Sequence, residues 1–503
     1  MLKTSFLQPE GPVFDIIPLM AVHGKNINDN VQPTAALSPE KAEEIKTKIA
    51  AVARKNGYQV YAVGGYVRDL LLGRTPKDID VVAIKKEAGV NSGIDLARLV
   101  AKEYGFHPPV EYPRFAVAVV NIDGEHVDFV APRTEFYTPD SRKPDVELGT
   151  LQEDAIRRDF TVNALYQDLS TGEIADPTGY GQKDLKDKMI RVTDHQNPDV
   201  IFSDDPLRAL RAIRQSYALN FAIEEKTREA IKRNAARLSV ISRERIQDEF
   251  CKILTGPKAG EAIRLLHDIG LTRQFLPEFD ATVGVTQDSK YHHELVDEHI
   301  LAAVDLVPDD IPSRLTALLH DIAKPAKRTE ETGVAHFYEH ELAGADMAEA
   351  ILTRLRFPNE VINEVVFRIR NHMWPMNYRR DWSPKTVRKF MKELGDYLNK
   401  VLDFAEVDIR ASRREEGLET ASLEDIRHLR ERIKEQEAQG NKDLHKAKPL
   451  LDGNELQKLF NKGPGPWISE IHKYLADQQL ETPSLTKEEA IAKAKEYMET
   501  KDD

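Results

Sequence analysis

With 503 residues, 41% of them hydrophobic and 31% charged, the chain exceeds one ordinary core and reads as a globular protein of about three or four domains. The formal net charge of −13 excludes a protein that coats nucleic acid non-specifically, although not one with a local basic groove. The single cysteine, Cys251, excludes an internal disulfide framework and a cysteine-based zinc site. No apolar run approaches the ~20 residues that cross a bilayer, and MLKTSFLQPEGPVFDIIPLM carries a proline and acids where a signal peptide needs an unbroken apolar core. The expectation is a cytoplasmic protein with no membrane partner, whose metal chemistry must use carboxylates and histidines.

Residues 1–38 lack sustained periodicity and form an N-terminal extension. Ser38 and Pro39 then supply a cap and a first-position proline for a helix that ends at Gly57. YQVYAVGG alternates like a strand, YVRDLLLG reads as a helix with its leucines packed on a sheet, and DIDVVAI is a second strand. FAVAVVNIDGEHVDFVAP predicts a hairpin turning at Asp123-Gly124. From about Ala155 the strand signals fade, and helices follow, broken at Gly256-Pro257, Leu276-Pro277, Val307-Pro308 and Phe357-Pro358. The fold class is therefore α+β, a small β-sheet head followed by a long all-α body.

The segment VGGYVRDLLLGRTPKDIDVV, Val63 to Val82, concentrates the chemistry. Glycines at Gly64 and Gly65 allow backbone to approach a bulky anion, a helix start favours phosphate, and Arg68 is placed to neutralise phosphate or brace carboxylates. Asp78 and Asp80, two apart on a strand, leave the same face, and a divalent magnesium ion would relieve their repulsion. Asp128 in EHVDFV is a candidate third acid on a neighbouring strand. A lone Asp-x-Asp is more often an exposed strand, so the weight lies in the combination. Neither a dinucleotide-binding glycine fingerprint nor a lysine-bearing phosphate loop is present.

With its downstream motifs the segment resembles the nucleotidyltransferase motif of class II tRNA nucleotidyltransferases and bacterial poly(A) polymerases. EDAIRRDFTVNALYQD resembles the motif that in that family helps bind the triphosphate and recognise the ribose, which implies nucleotide-binding roles for Arg157, Arg158, Asp159 and Asn163. DPTGYGQKDLKDKMIRV resembles the turn-and-helix motif after it, with Asp176, Gly179 and Asp184. SDDPLRALRAIRQ resembles the motif that serves the family as a protein template for the incoming base, implying a reader built from Asp204, Asp205 and Arg208, with Arg211 beside it. Here Asp204 replaces the usual glutamate, and Gln215 stands where an aromatic is common. Asp205 and Arg208, three apart, are expected on one helix face. RTEFYTPDSRKPDVELGTLQED matches the family's flexible loop, with Arg133, Glu135 and Arg142 at familiar positions, and its presence favours full CCA addition.

VDEHILAAV, LLHDIAKP, FYEHELAGADM, RNHM and AEVDIRAS resemble the HD domain of metal-dependent phosphohydrolases. The resemblance implies metal ligands at His299, His320, Asp321 and Asp408, with His340 and His372 as the accessory histidines of two-metal versions. A mixed nitrogen and oxygen set of this kind suits a transition metal or magnesium, able to activate water for attack on a phosphoester.

The expected organisation is an extension to residue 38, a nucleotidyltransferase head over 39–190, a helical neck carrying the base-reading motif over 191–275, an HD domain over 276–412 and a helical tail over 413–503. The function implied is CCA addition to the tRNA 3′ end from CTP and ATP with magnesium. Rivals are a poly(A) polymerase, an enzyme adding only CC or only A, and an HD phosphohydrolase with a nucleotide-sensing head. A non-catalytic RNA-binding protein fits poorly with the net charge of −13.

Overall fold

A computed structural model of the chain describes residues 37–136, 145–287, 294–331, 334–412, 417–439, 441 and 449–502. It divides into two compact units, residues 1–148 with 166–175, and residues 149–165 with 176–503.

The first unit begins with α1 (Pro39–Lys55), where Ser38 accepts a hydrogen bond from the Lys41 amide at 3.2 Å and Gly57 follows the helix at φ +73. Its inward stripe of Ile45, Ile49, Val52 and Ala53 is buried. Next come β1 (Gln59–Val63), α2 (Gly65–Leu71), β2 (Ile79–Ile84), α3 (Ser92–Tyr104), β3 (Val110–Tyr112), β4 (Val117–Ile122) and β5 (Glu125–Val130). The hairpin between β4 and β5 turns where expected. Asp123 and Gly124 both have positive φ, +54 and +94, and the Asn121 side chain accepts from the Gly124 amide at 2.9 Å.

Two expectations are corrected here. The leucines of α2 do not anchor it: only its first turn is covered, with Tyr66 and Val67 buried, while Leu70 and Leu71 are 40% and 44% exposed. Strands also do not stop near Ala155. β8 (Tyr166–Asp168) pairs antiparallel with β1, and β9 (Ile174–Ala175) pairs with β8, after β6 (Arg133–Phe136) and β7 (Asp145–Leu148) have formed a separate two-stranded ribbon. Strands of two or three residues are too short to display alternation, so sequence pattern misses them.

The sheet has seven strands in the order β3-β4-β5-β2-β1-β8-β9, and β2 with β5 is its parallel pair. That pair depends on α3 lying close. A Cβ built on Gly93 would meet the Val130 backbone at 2.6 to 2.8 Å, so only glycine allows this approach.

The second unit is mostly helical. It opens with α4 (Leu151–Ile156), α5 (Gly181–Asp187), α6 (Pro198–Asp204) and α7 (Arg208–Leu219), joined by a two-residue parallel pair, Met189–Ile190 with Ala222–Ile223. Helices further along stop at the proline and glycine breaks expected, at Leu254, Phe275, Leu306 and Arg354. The charged helix runs over Leu418–Ala438, and the last helices pack their own core around Leu456, Ile471 and Leu475. No helix among the described residues is long and apolar enough to cross a membrane.

Replacing Gly93 with alanine should force α3 away from β5 and lower stability by about 1–3 kcal/mol. Urea unfolding of purified Gly93→Ala beside the parent chain measures this directly.

Candidate functional site

In the first unit, β1 ends at Val63, and the chain turns into α2 through Gly64 at φ +78 and ψ −139, a conformation open essentially to glycine alone. Val63 pairs with Asp80 across β1 and β2, so the glycine turn and the carboxylates sit at the same end of the sheet. Asp80 in turn faces Asp128, its register partner on β5. In a parallel pair partner side chains leave the same face; Asp78 lies just before β2, two residues ahead of Asp80. Asp78 is exposed, while Asp80 and Asp128 are half-buried. Carboxylate oxygens are the donors that a hard divalent cation such as magnesium prefers, and Asp80 and Asp128 share one sheet face. Arg68 is held by its neighbour, its Nε donating to Asp69 Oδ1 at 2.8 Å and its Nη2 to Oδ2 at 2.9 Å.

The ribbon that follows carries the sequence's loop motif. Arg133 is buried, with Nη1 donating to the Phe115 carbonyl at 2.5 Å. Arg142 lies outside the described residues.

In the second unit a buried carboxylate missed by sequence reasoning organises the arginine pair. Asp154 on α4, fully enclosed, accepts from Arg157 Nε at 3.0 Å and Nη2 at 2.5 Å through one oxygen, and from Arg158 Nε at 3.1 Å and Nη2 at 3.0 Å through the other. Its position three and four residues before the two arginines, in a helix opened by the Thr150–Glu153 capping box, was the available signal.

Asp159 is also buried. Burial pushes its carboxyl upward, but the Arg211 charge and a hydrogen bond from Asn163 outweigh this and hold it at about 2. Arg211 donates to Asp159 Oδ2 through Nε at 2.9 Å and Nη2 at 2.6 Å. Asn163 Nδ2 donates both to Asp159 Oδ1 and to Gln215 Oε1, each at 2.9 Å. The turn after it is tied down by Asp184, which accepts from Thr161 at 2.7 Å and from Arg191.

The expected placement of Asp205 and Arg208 on one helix face is not observed. α6 ends at Asp204, and Asp205 is extended at φ −136, in the break before α7 begins. A proline one residue on disfavours helical geometry at Asp205. Its carboxylate accepts from the Leu207 amide at 3.2 Å and from Arg245 at 3.0 Å, while Arg208 donates to the carbonyls of Ile201 at 3.2 Å and Arg157 at 2.7 Å. Asp204 is exposed at the end of α6.

Further along, helices Val296–Leu306, Ile311–Leu319, His340–Arg354, Asn359–Asn371 and Leu398–Ala411 converge six buried groups. His299, His320 and Asp408 form one set whose ligand atoms lie within 4.8 Å of one another, and Asp321, His340 and His372 form another. His299 Nε2 is 2.9 Å from Asp408 Oδ1, and His320 Nε2 is 3.2 Å from Asp321 Oδ2. His340 Nε2, buried without a hydrogen-bond partner, lies 3.3 Å from Asp321 Oδ1.

Nδ1 of His320, His340 and His372 donates to the carbonyls of Ala317, Phe337 and Ile369 at 2.9, 2.8 and 2.6 Å, which turns each Nε2 inward. Burial, and then the neighbouring His340 and His320 charges, push His372 down to about 3, so it is neutral at ordinary pH. Mixed imidazole and carboxylate donors with fixed outer bonds fit a divalent metal. Lys324, buried, reaches Asp321 at 2.7 Å and Gln287 at 2.5 Å, a pair that sequence spacing did not bring out.

Three family descriptions match: the poly A polymerase head domain over residues 60–191, the probable RNA and SrmB-binding site of polymerase A over 220–282, and the HD domain over 279–439. The chain is 33% identical to the CC-adding tRNA nucleotidyltransferase of Thermus thermophilus, covering 86% of this chain and 92% of that protein. It is 32% identical to the A-adding tRNA nucleotidyltransferase of Deinococcus radiodurans, covering 87% and 95%. In fold it is similar to the Bacillus stearothermophilus CCA-adding enzyme solved in complex with CTP, with a TM-score of 0.61 at 22% identity over 92% of this chain and 99% of that one.

Because Asp159 sits at about 2 rather than at its ordinary 3.8, its ionisation stabilises the fold at neutral pH. Asp159→Asn is expected to cost about 2 kcal/mol at pH 7, and the gap to the parent chain should narrow as pH falls from about 4 to 2. Denaturant unfolding across that range measures it. For the histidine cluster, manganese at about 100 times its dissociation constant should stabilise the protein by about 2.7 kcal/mol. Thermal melts should show this rise in the parent chain and lose most of it in His320→Ala.

Proposed function

The chain belongs to the tRNA nucleotidyltransferase and poly(A) polymerase family and is an enzyme, and from that premise we propose that it adds C, C and A from CTP and ATP to the 3′ end of tRNA. The observation that carries nucleotidyl transfer is the register of Asp80 with Asp128, beside Asp78 and the Gly64 turn. Asp78, Asp80 and Asp128 would hold magnesium, which when bound supplies positive charge that favours ionisation of the attacking 3′ hydroxyl and offsets charge on the α-phosphate.

The remaining roles belong to the chain's own groups. Gly64 and Gly65 let backbone approach the triphosphate, and Arg68, Arg157 and Arg158 supply cationic donors for its oxygens. Arg157 and Arg158 are both ion-paired with one carboxylate, Asp154, which fixes the two guanidiniums. Asp159 and Asn163, fixed by Arg211 and Gln215, face the sugar. Asp204, Asp205 and Arg208 read the base edge. A carboxylate has about four lone-pair sites and a guanidinium five N–H donors, so the bonds Asp205 and Arg208 already make leave both able to meet a base. In this reading residues 39–190 form the head, 191–275 the base-reading neck, 276–412 the HD domain and 413–503 the tail.

Full CCA addition rests on the sequence motif RTEFYTPDSRKPDVELGTLQED, within which Arg133–Phe136 pairs with Asp145–Leu148. The relatives that add only CC or only A make the specialised reactions the direct competitors. A second activity, hydrolysis of a phosphoester at the histidine and aspartate cluster, rests on its six buried, oriented groups; a divalent metal there would activate water for attack.

Incubating the protein with tRNA lacking its 3′ CCA and each nucleotide in turn, then sequencing the products, tests the proposal. Two C followed by one A is the expected result; CC alone, A alone, or A-tailing of arbitrary RNA would replace it. Asp80→Ala is expected to lower incorporation by at least about a thousandfold, on the scale of lost electrostatic stabilisation at a reacting centre, while leaving the melting temperature within a few degrees.

A further inference from the structure

Thr286 is bridged to Leu295, and the Val285 carbonyl accepts from the Val296 amide at 2.9 Å, so the chain here is pinned to the start of the helix Val296–Leu306 that carries His299. Gln287 comes next and is 1% exposed. Its Oε1 accepts from Lys324 Nζ at 2.5 Å, and the same Nζ reaches Asp321 Oδ2 at 2.7 Å and lies 5.4 Å from the centre of the Phe337 ring. An ammonium group donates and never accepts, so the amide has its oxygen on the Lys324 side. Its nitrogen, Nε2, is buried and has no hydrogen-bond partner among the described residues.

Stranding a buried N–H donor costs stability, and such a group calls for an explanation. Lys324 needs an acceptor from position 287 and has no use for the donor half of the amide. At the other oxygen of Asp321, Oδ1, His340 Nε2 lies 3.3 Å away and is likewise buried without a hydrogen-bond partner. Polar atoms stranded on both sides of one carboxylate mark a place where a ligand completes the bonding. With two of the three Lys324 N–H groups committed, the Gln287 amide is the donor that remains for an anionic oxygen on that side.

We propose that Gln287 is a phosphate-binding residue of the histidine and aspartate cluster, its Nε2 donating to a non-bridging oxygen of the phosphoester. The assignment rests on the reading of that cluster above as a phosphoester site.

Inorganic phosphate is the probe, titrated by calorimetry into the manganese-loaded and the metal-free protein. Gln287→Met, similar in length but with no donor, should weaken phosphate binding by at least about tenfold, the scale of one hydrogen bond to a charged acceptor. Gln287→Glu keeps an oxygen for Lys324 but loses the N–H groups, and should weaken binding at least as much. Gln287→Leu serves as a second apolar variant should the methionine chain fold poorly, and melting temperatures are recorded for each. Affinities within about twofold of the parent in both the apolar and the glutamate variant mean that water alone meets Nε2, and overturn the assignment. Loss in Gln287→Met with full retention in Gln287→Glu makes the residue a brace for Lys324 and also overturns it, as does a parent chain that binds no phosphate. Hydrolysis of bis(4-nitrophenyl) phosphate is followed in parallel. Phosphate binding that depends on Gln287 with no hydrolysis keeps the binding assignment and removes only the turnover proposed above; hydrolysis with KM unchanged in every variant does the reverse.

Discussion

The parallel hydrogen bonding of Ile79–Val82 with Val127–Val130 is the constraint on which the first unit depends. Parallel neighbours cannot be joined by a tight turn, so the chain must leave the sheet and return, and α3 covers the sheet in between. The helix can lie that close only because position 93 has no side chain. Register then does the chemical part: with side chains alternating every residue, a slip of one position would turn Asp80 to the opposite face from Asp128 and bury a carboxylate where Val81 now packs. The apolar residues flanking Asp80, Ile79 and Val81, are buried and oppose that slip.

The second unit meets a different problem, that of presenting positive charge in a chain whose net charge is −13. Its solution is to bury the acids. Asp154 and Asp159, enclosed, hold three arginines between them, and the carboxylates therefore act as fixed anchors that aim guanidiniums. Asp159 stays ionised when buried because the Arg211 charge and hydrogen bonds from Asn163 and the Phe160 amide offset its desolvation.

Much of this was legible in the sequence where one motif fixes one local geometry. The Asp123-Gly124 turn, the Ser38 cap and the strand holding Asp80 follow from dihedral and capping preferences alone. The histidine cluster, spread over more than a hundred positions, was visible only through resemblance, since no periodicity links His299 to Asp408. What sequence reasoning got wrong lay where tertiary context outweighs local pattern. Leu70 and Leu71 look like core, yet α2 is too short for its second turn to be covered. Asp205 and Arg208 have helical spacing, but the intervening Pro206 ends one helix before the next begins. Gln215 was read only as a departure from the family pattern because its partner Asn163 is remote in the sequence, whereas Asp154, three and four residues before its two arginines, was within reach of local spacing and was missed.

The return of β8 and β9 to the sheet after residue 165 gives the head a discontinuous chain. A polypeptide ending at Leu148 would carry Asp78, Asp80 and Asp128, the proposed magnesium ligands, but would leave the β1 edge bare, its backbone groups open to pairing with another chain. Such a fragment is therefore prone to self-association. For the same reason the first unit passes between relatives only as one stretch that includes residues 149–165, so the carboxylates on its sheet and the arginine pair Arg157 and Arg158 are inherited together.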